Sequence, residues 1–336
     1  MQILSCVFFP RFVPRRWAHG LSSEGNSVSL YNLRLVQTAG ILGLAPIGEE
    51  PSCLIDRHMK SRRILYISQE IFPYLPESDI SLAARHLPQG MTARKLSQGI
   101  QELGNDIRIF MPRFGLINER RNQLHEVIRL SGINMIINNN DHPLIIKVAS
   151  LPAARMQVYF IDNDDFFKRK SLFDADPKAQ TNDNDDRSIF FVRGALEAIK
   201  KLRWIPDIIH CHGTFTALGM LYLKKFYHDD PCLKKAKIVY SIYDEPAPVE
   251  IPEGLFECLK FDKFKPSALS ILDGKTDYEA LNRLAIHYAH GVVQGSPELS
   301  PTLRQHIEES GAHFLPYTAL EESAAAHNEF YKKILP

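Results

Sequence analysis

Nowhere in the 336 residues does an apolar run approach the ~20 residues that a membrane-spanning helix needs, so no membrane partner is expected. Cysteine is sparse. Cys6, Cys53, Cys211, Cys232 and Cys258 are odd in number, scattered, and form no C-x-x-C. That argues against a disulfide framework or a zinc site and fits reduced thiols in a cytoplasmic setting. Excess charge of either sign is missing too. Forty Lys and Arg against 39 Asp and Glu leave +1, which removes the electrostatic reason to expect nucleic acid. The acidic stretch Asp183–Asp186 lacks the glycine and distal glutamate of an EF-hand loop, so no metal is expected there. No cofactor is called for.

What is present divides at about residue 58. The segment 1–58 shows no steady hydrophobic period, and Arg11, Arg15 and Arg16 follow its apolar run instead of preceding it, unlike a signal peptide. It reads as a poorly ordered extension, or as sequence upstream of a true start at Met59. From there to Pro336 a single main domain is expected.

"RILYIS" (Arg63–Ser68) and "DIRIFMP" (Asp106–Pro112) are strand-like runs separated by a helical stretch from Leu82 to Leu103, with Gly104 as its C-cap. Strand, helix, strand implies a parallel pair. Short strands follow in "EVIRLSGINMII", "PLIIKVASL" and "MQVYFIDN", spaced like edge hairpins. Ile189, Val192, Leu196 and Ile199 form one helical stripe that ends by Trp204-Ile205-Pro206. Then come strand "DIIHC", helix Thr214–Phe226, strand Lys237–Ile242, helix Tyr278–Ala289, strand Gly291–Ser296, and helices Leu299–Ser310 and Glu321–Ile334. Apolar strands alternating with amphipathic helices predict an α/β fold with a doubly wound, mostly parallel Rossmann-like sheet.

Ligands of such sheets lie at the carboxyl ends of the strands, where His210 and His212 fall. Alternation places both on one face. Around them the chain resembles, block by block, the N-terminal catalytic domain of glycogen and starch synthases. "RILYISQEIFPYL", "LGNDIRIFMPRFG", "VYFIDNDDFFKR", "NDDRSIFFVRGALE", "WIPDIIHCHG" and "AIHYAHGVVQGSPELS" follow the family's motifs in order. The resemblance implies one half of a GT-B glycosyltransferase, transferring glucose from ADP-glucose to the non-reducing end of an α-1,4-glucan. It implies a catalytic role for His212 at the cleft rim, beside the transferred glucose, and substrate-binding roles for Asp162, Tyr243 and Asp244.

Some family positions differ. The K-T-G-G-L that follows the family's first strand aligns with Pro76, Glu77, Ser78, Asp79 and Ile80, replacing a cation and two glycines by acidic and cyclic residues. The H-x-H-D-W-H block reads His210-Cys211-His212-Gly213-Thr214-Phe215, and T-I-H-N reads Ser241-Ile242-Tyr243-Asp244. Glu245 and Glu253 share the E-x7-E spacing of the family's second domain but lie in a proline-rich loop. The resemblance therefore implies a partner chain supplying the second domain, or a relative that binds glucan, sugar nucleotide or protein without catalysis.

Overall fold

The first strand, β1 (Arg63–Ser68), has every residue after Arg63 buried and pairs in parallel on both sides. A strand covered on both faces needs this near-continuous apolar run. The computed structural model describes residues 61–92, 104–151, 156–173, 182–246 and 248–336, all within the compact unit His58–Pro336. The expected character of residues 1–58 lies outside the described residues.

Following β1 are α1 (Asp79–Thr92), β2 (Asp106–Pro112), β3 (His125–Glu126), β4 (Ile133–Ile137), β5 (Asn140–Leu151) and β6 (Met156–Asp162). Then come α2 (Asp164–Phe167), α3 (Asn184–Lys201), β7 (Ile208–His212), α4 (Leu218–Leu221) and β8 (Lys237–Ile242). The chain continues with α5 (Leu255–Phe261), α6 (Pro266–Leu269), α7 (Tyr278–Tyr288), β9 (Gly291–Gln294), α8 (Pro301–Ser310), β10 (His313–Leu315) and α9 (Leu320–Ile334).

The sheet order is β10-β9-β8-β7-β1-β2-β6-β5-β3, with β4 paired to β5. From β10 to β6 every pairing is parallel, whereas β5 is antiparallel to β3, β4 and β6. This is the expected doubly wound sheet with a hairpin edge. The strand order reverses at β1, between β2 and β7, and that switch opens a crevice at the carboxyl ends of β1 and β7.

Two expected helices differ. The first begins at Asp79, and residues 93–103, over which it was expected to run on, lie outside the described residues. The stretch Thr214–Phe226 is a 3₁₀ turn at 214–216, the α-helical α4 and a π-turn at 222–226. Phe215 is wedged there between Phe173 and Phe191, and Ser188 Oγ donates to the Phe215 carbonyl at 2.7 Å. Tertiary packing thus sets the helical pitch locally.

The family-like N-x-x-R of α3 has a structural task. Arg187 is fully buried, and its Nε donates to the Phe166 carbonyl at 2.9 Å. Its Nη1 donates to Asn184 Oδ1 at 2.7 Å, under the rings of Phe114 and Phe167. Burial lowers its pKa to about 10, so it stays charged at neutral pH. Asn184 in turn donates to the carbonyls of Phe173 and Glu250, tying the loops to the helix start.

Candidate functional site

At the end of β1 the chain runs through Gln69 and Glu70 to a capped helix start. Ser78 and Ser81 cap α1 reciprocally: Ser81 N–H donates to Ser78 Oγ at 3.0 Å, and Ser78 N–H to Ser81 Oγ at 2.8 Å. Ser78 Oγ donates to Glu70 Oε2 at 2.6 Å. The segment aligned with K-T-G-G-L is therefore a helix cap bonded to a carboxylate, and it offers no cation to a phosphate.

Across the switch, Gly213 follows β7 with φ +85°, where a Cβ would strike the Gln69 side chain at 2.3 Å. Gln69 fills that space. Its Oε1 accepts from Phe215 N–H at 2.9 Å, and its Nε2 donates to Glu245 Oε2 at 3.2 Å. Glu245 Oε1 accepts from both the N–H (2.8 Å) and the hydroxyl (2.7 Å) of Thr214. These amides are the donors that a bound anion would use at a Rossmann crevice, and here the chain's own carboxylate and amide oxygen take them. Burial raises the Glu245 carboxyl above its ordinary range, with Glu70 adding to the rise, while the Thr214 and Gln69 bonds pull it down. Among the described residues no lysine or arginine forms an ion pair with Glu70, Asp244 or Glu245.

The two histidines share a face, as alternation predicts, with ring centroids 4.0 Å apart. They do not line a rim. Both are fully buried, because α9 lies over them. Tyr331 of α9 has its hydroxyl 2.6 Å from His210 Nδ1 and 3.0 Å from the Tyr66 hydroxyl. His210 Nε2 meets Ser241 Oγ at 2.7 Å. His212 Nδ1 meets the Tyr243 hydroxyl at 2.8 Å, and its Nε2 has no protein partner. Burial, reinforced by His327, drops the His212 pKa to about 3, so the ring is neutral. The placement of His212 at the rim is thus corrected.

Asp162, the expected substrate-binding residue at the carboxyl end of β6, is 1% exposed, with Oδ2 3.0 Å from both Arg113 Nε and Lys147 Nζ, so the structure gives it two cationic partners from its own chain.

Tyr243 and Asp244 stay at the carboxyl end of β8. The Tyr243 ring depends on Gly295: a Cβ there would lie 2.3 Å from it. Gly295→Ala is expected to displace the ring and cost about 1–3 kcal/mol, the usual range for overpacking, measurable by urea unfolding. An unchanged midpoint would contradict this packing. Asp244 is exposed, and its N–H donates to Ser296 Oγ, which donates to Asp79 Oδ2 at 2.8 Å.

Asp185, Asp186 and Cys258 bring donor atoms within 4.8 Å of one another. The Cys258 thiol donates to both carboxylates, and burial and those carboxylates push its pKa far up.

Sequence reasoning missed the Gln69–Glu245 lock and His327. The second had a signal: Ser323, His327 and Tyr331 recur every fourth residue on α9, forming one stripe against the sheet.

Comparison with known proteins bears on this geometry. Residues 63–313 match the family described as starch synthase catalytic domain. A glycogen synthase of Chlorobium luteolum is 31% identical over 272 residues, covering 80% of this chain and 51% of that protein. A glycogen synthase of Chlorobium phaeobacteroides is 36% identical over 183 residues, covering 54% and 36%. The chain spans about half the length of the curated relatives it matches. Among solved structures, the catalytic domain of starch synthase IV from Arabidopsis thaliana, bound to ADP and acarbose, superposes with TM-score 0.58. It shares 16% sequence identity and covers 76% of this chain and 51% of that one, a likeness of fold.

Proposed function

We propose, from the premise that this chain belongs to the starch synthase catalytic domain family, that it takes part in glucosyl transfer from ADP-glucose to the non-reducing end of an α-1,4-glucan. The observation that carries the reading is the match over residues 63–313, which includes the carboxyl ends of the parallel strands β1, β2, β6, β7, β8 and β9.

Within this reading the chain supplies the sugar-holding side of the cleft. Tyr243 and Asp244 are its polar groups at the end of β8. His212 acts through Tyr243, as a positioning residue that fixes the phenol hydroxyl from below. The departing diphosphate needs positive charge, and fixed charge of this kind often lowers the barrier more than any other single effect. The crevice residues present Glu70 and Glu245 instead. The cations are assigned to groups outside this crevice, in a second domain or a partner chain. The domain-level division, with residues 59–336 as the synthase-like part working in the cytoplasm, belongs to the same proposal.

The test is incubation with ADP-[14C]glucose and glycogen, using the chain together with any partner that co-purifies. Label is expected in the polymer. Tyr243→Phe is expected to slow incorporation roughly tenfold, as loss of one oriented hydroxyl does, and His212→Asn to slow it less. Background label in every preparation would overturn the reading.

A further inference from the structure

A pocket of about 460 Å³ lies at the pole of the sheet opposite the crevice. Lys224 is part of its wall, and Lys224 Nζ sits 2.9 Å from Nε2 of His290, the residue before β9. That is the amino end of the parallel strands, whereas Tyr243 and Asp244 follow the carboxyl end of β8. Lys224, Lys225, Lys263, Lys265 and His228 make the polar part of the wall. Among the described residues none of these lysines forms an ion pair. The carboxylate in the lining, Asp262, is already engaged: its Oδ2 accepts from the Tyr222 hydroxyl at 2.5 Å and from Arg193 Nη1 at 3.2 Å. The lysines flank the ends of the π-turn and of α5, and a helix C-terminus carries only about half a negative charge. Four ammonium groups against two such ends leave a surplus of about three positive charges. The crowding shows at Lys224. His290 Nδ1 accepts from the Ile238 N–H at 2.9 Å, so the neutral ring carries its hydrogen on Nε2, toward Lys224 Nζ. Two donors meet there without an acceptor, and burial together with Lys237 and Lys225 lowers the Lys224 pKa.

The lining narrows the ligand. The volume falls within the ~300–1,000 Å³ of small-molecule sites. Concave surfaces lined by one sign of charge concentrate the opposite ion. Among the described residues of the wall there is no arginine, whose planar fork matches a carboxylate. Lysines act as point charges and suit a compact, multiply charged anion such as phosphate. Phe226, Phe264 and Ala268 add an apolar side, and the Phe226 ring is 37% exposed. That side suits an organic group attached to the anion. We propose that this pocket binds a phosphate ester, with the phosphate among Lys225, Lys263 and Lys265 and the organic group against Phe226. Nucleotides and sugar phosphates share this chemistry. The inference uses no residue of the crevice and does not rest on glucosyl transfer.

The full chain is titrated by calorimetry with AMP and glucose 6-phosphate, and with adenosine and glucose as their uncharged counterparts. Saturable binding of at least one ester is expected, about tenfold or more tighter than its counterpart. The double variant Lys225→Gln, Lys263→Gln alters two exposed side chains. It is expected to weaken ester binding about tenfold at unchanged circular dichroism. A second readout needs no variant: raising NaCl from about 50 to about 300 mM is expected to weaken the ester by a similar factor, because the charges are partly exposed. Glucose incorporation from ADP-glucose by the double variant is expected to match the wild type, so the two proposals succeed or fail separately. No binding of either ester, an uncharged counterpart binding as tightly, equal binding by the folded double variant, or an affinity unmoved by salt would each overturn the proposal. AMP without glucose 6-phosphate assigns the pocket to nucleotides, and the reverse assigns it to sugar phosphates; either supports it.

Discussion

Acidification from pH 6.5 to 5 is expected to strip this fold of several kcal/mol of stability. His210, His212 and His327 are all buried. Burial holds His212 at about 3 and His327 at about 4, and pushes His210 well below its ordinary value near 6.5. An unfolded chain takes up a proton on each as the pH falls through 6.5, and the folded chain does not. Folded pKa values below the unfolded ones mean that this stability is complete above pH 6.5 and lost progressively toward 4. Each histidine contributes a slope of about 1.4 kcal/mol per pH unit, and three give about 4. Asp185 acts in the opposite sense. Burial raises it to about 6, so the folded state binds its proton first and offsets one histidine. His290, also held at about 4 by burial and the neighbouring Lys224, adds a fourth histidine, so the net slope near pH 6 to 5 is about 4 kcal/mol per unit. Glu245 and Asp186, also raised by burial, act in the same sense as Asp185. Urea unfolding at pH 7, 6 and 5 measures this directly. His327→Gln is expected to flatten the slope by about 1.4 kcal/mol per unit. A wild-type profile that is flat from pH 7 to 5 would contradict the burial of the trio under α9.

Replacing Glu245 is expected to have the second largest effect, with a change of kind as well as size. In Glu245→Ala the Thr214 N–H, the Thr214 hydroxyl and Gln69 Nε2 lose their acceptor. Hydrogen bonds to charged groups contribute about 1.5–3 kcal/mol each when fully buried. Glu245 is half-buried by its surface exposure, so water can reach the freed donors. Its raised pKa also shows that its charge is held at a cost. A net loss of about 2 kcal/mol follows. The freed donors then face an uncapped crevice, and inorganic phosphate is expected to raise the melting temperature of the alanine variant while leaving the wild type unmoved. Equal phosphate responses in both proteins would mean that the carboxylate does not occupy the anion position. A Glu245→Gln variant is expected to fall between them: its oxygen still accepts from Thr214, but its amide nitrogen confronts Gln69 Nε2.

Much of the scaffold was legible because the central strands are buried along nearly their whole length and so written as near-continuous apolar runs. "RILYIS" became β1, "KIVYSI" became β8, and the Asn and Gly turns between "EVIRLSGINMII" and "MQVYFIDN" became the antiparallel edge. The shared face of His210 and His212 followed from alternation alone. Their burial did not, because it depends on a helix more than 100 residues later folding back, with Tyr331 reaching His210. The pairing of Asp162 was hidden for a similar reason. Its partners Arg113 and Lys147 come from the segment after β2 and from β5, and a motif carries no record of cations on other strands. Glu245 was visible only as half of a chance spacing. Its role emerges when Gln69, the Gly213-Thr214 turn and Glu245 itself meet at the switch point, three segments that no single stretch of sequence unites.

The linkage formed by the labelled product tests the central claim most directly. After incubation with ADP-[14C]glucose and glycogen, the polymer is digested with β-amylase, which removes maltose from the non-reducing ends of α-1,4 chains. Glucosyl transfer of the kind assigned here predicts radioactivity released as maltose. Polymer without label, or label that resists the digestion, would contradict it.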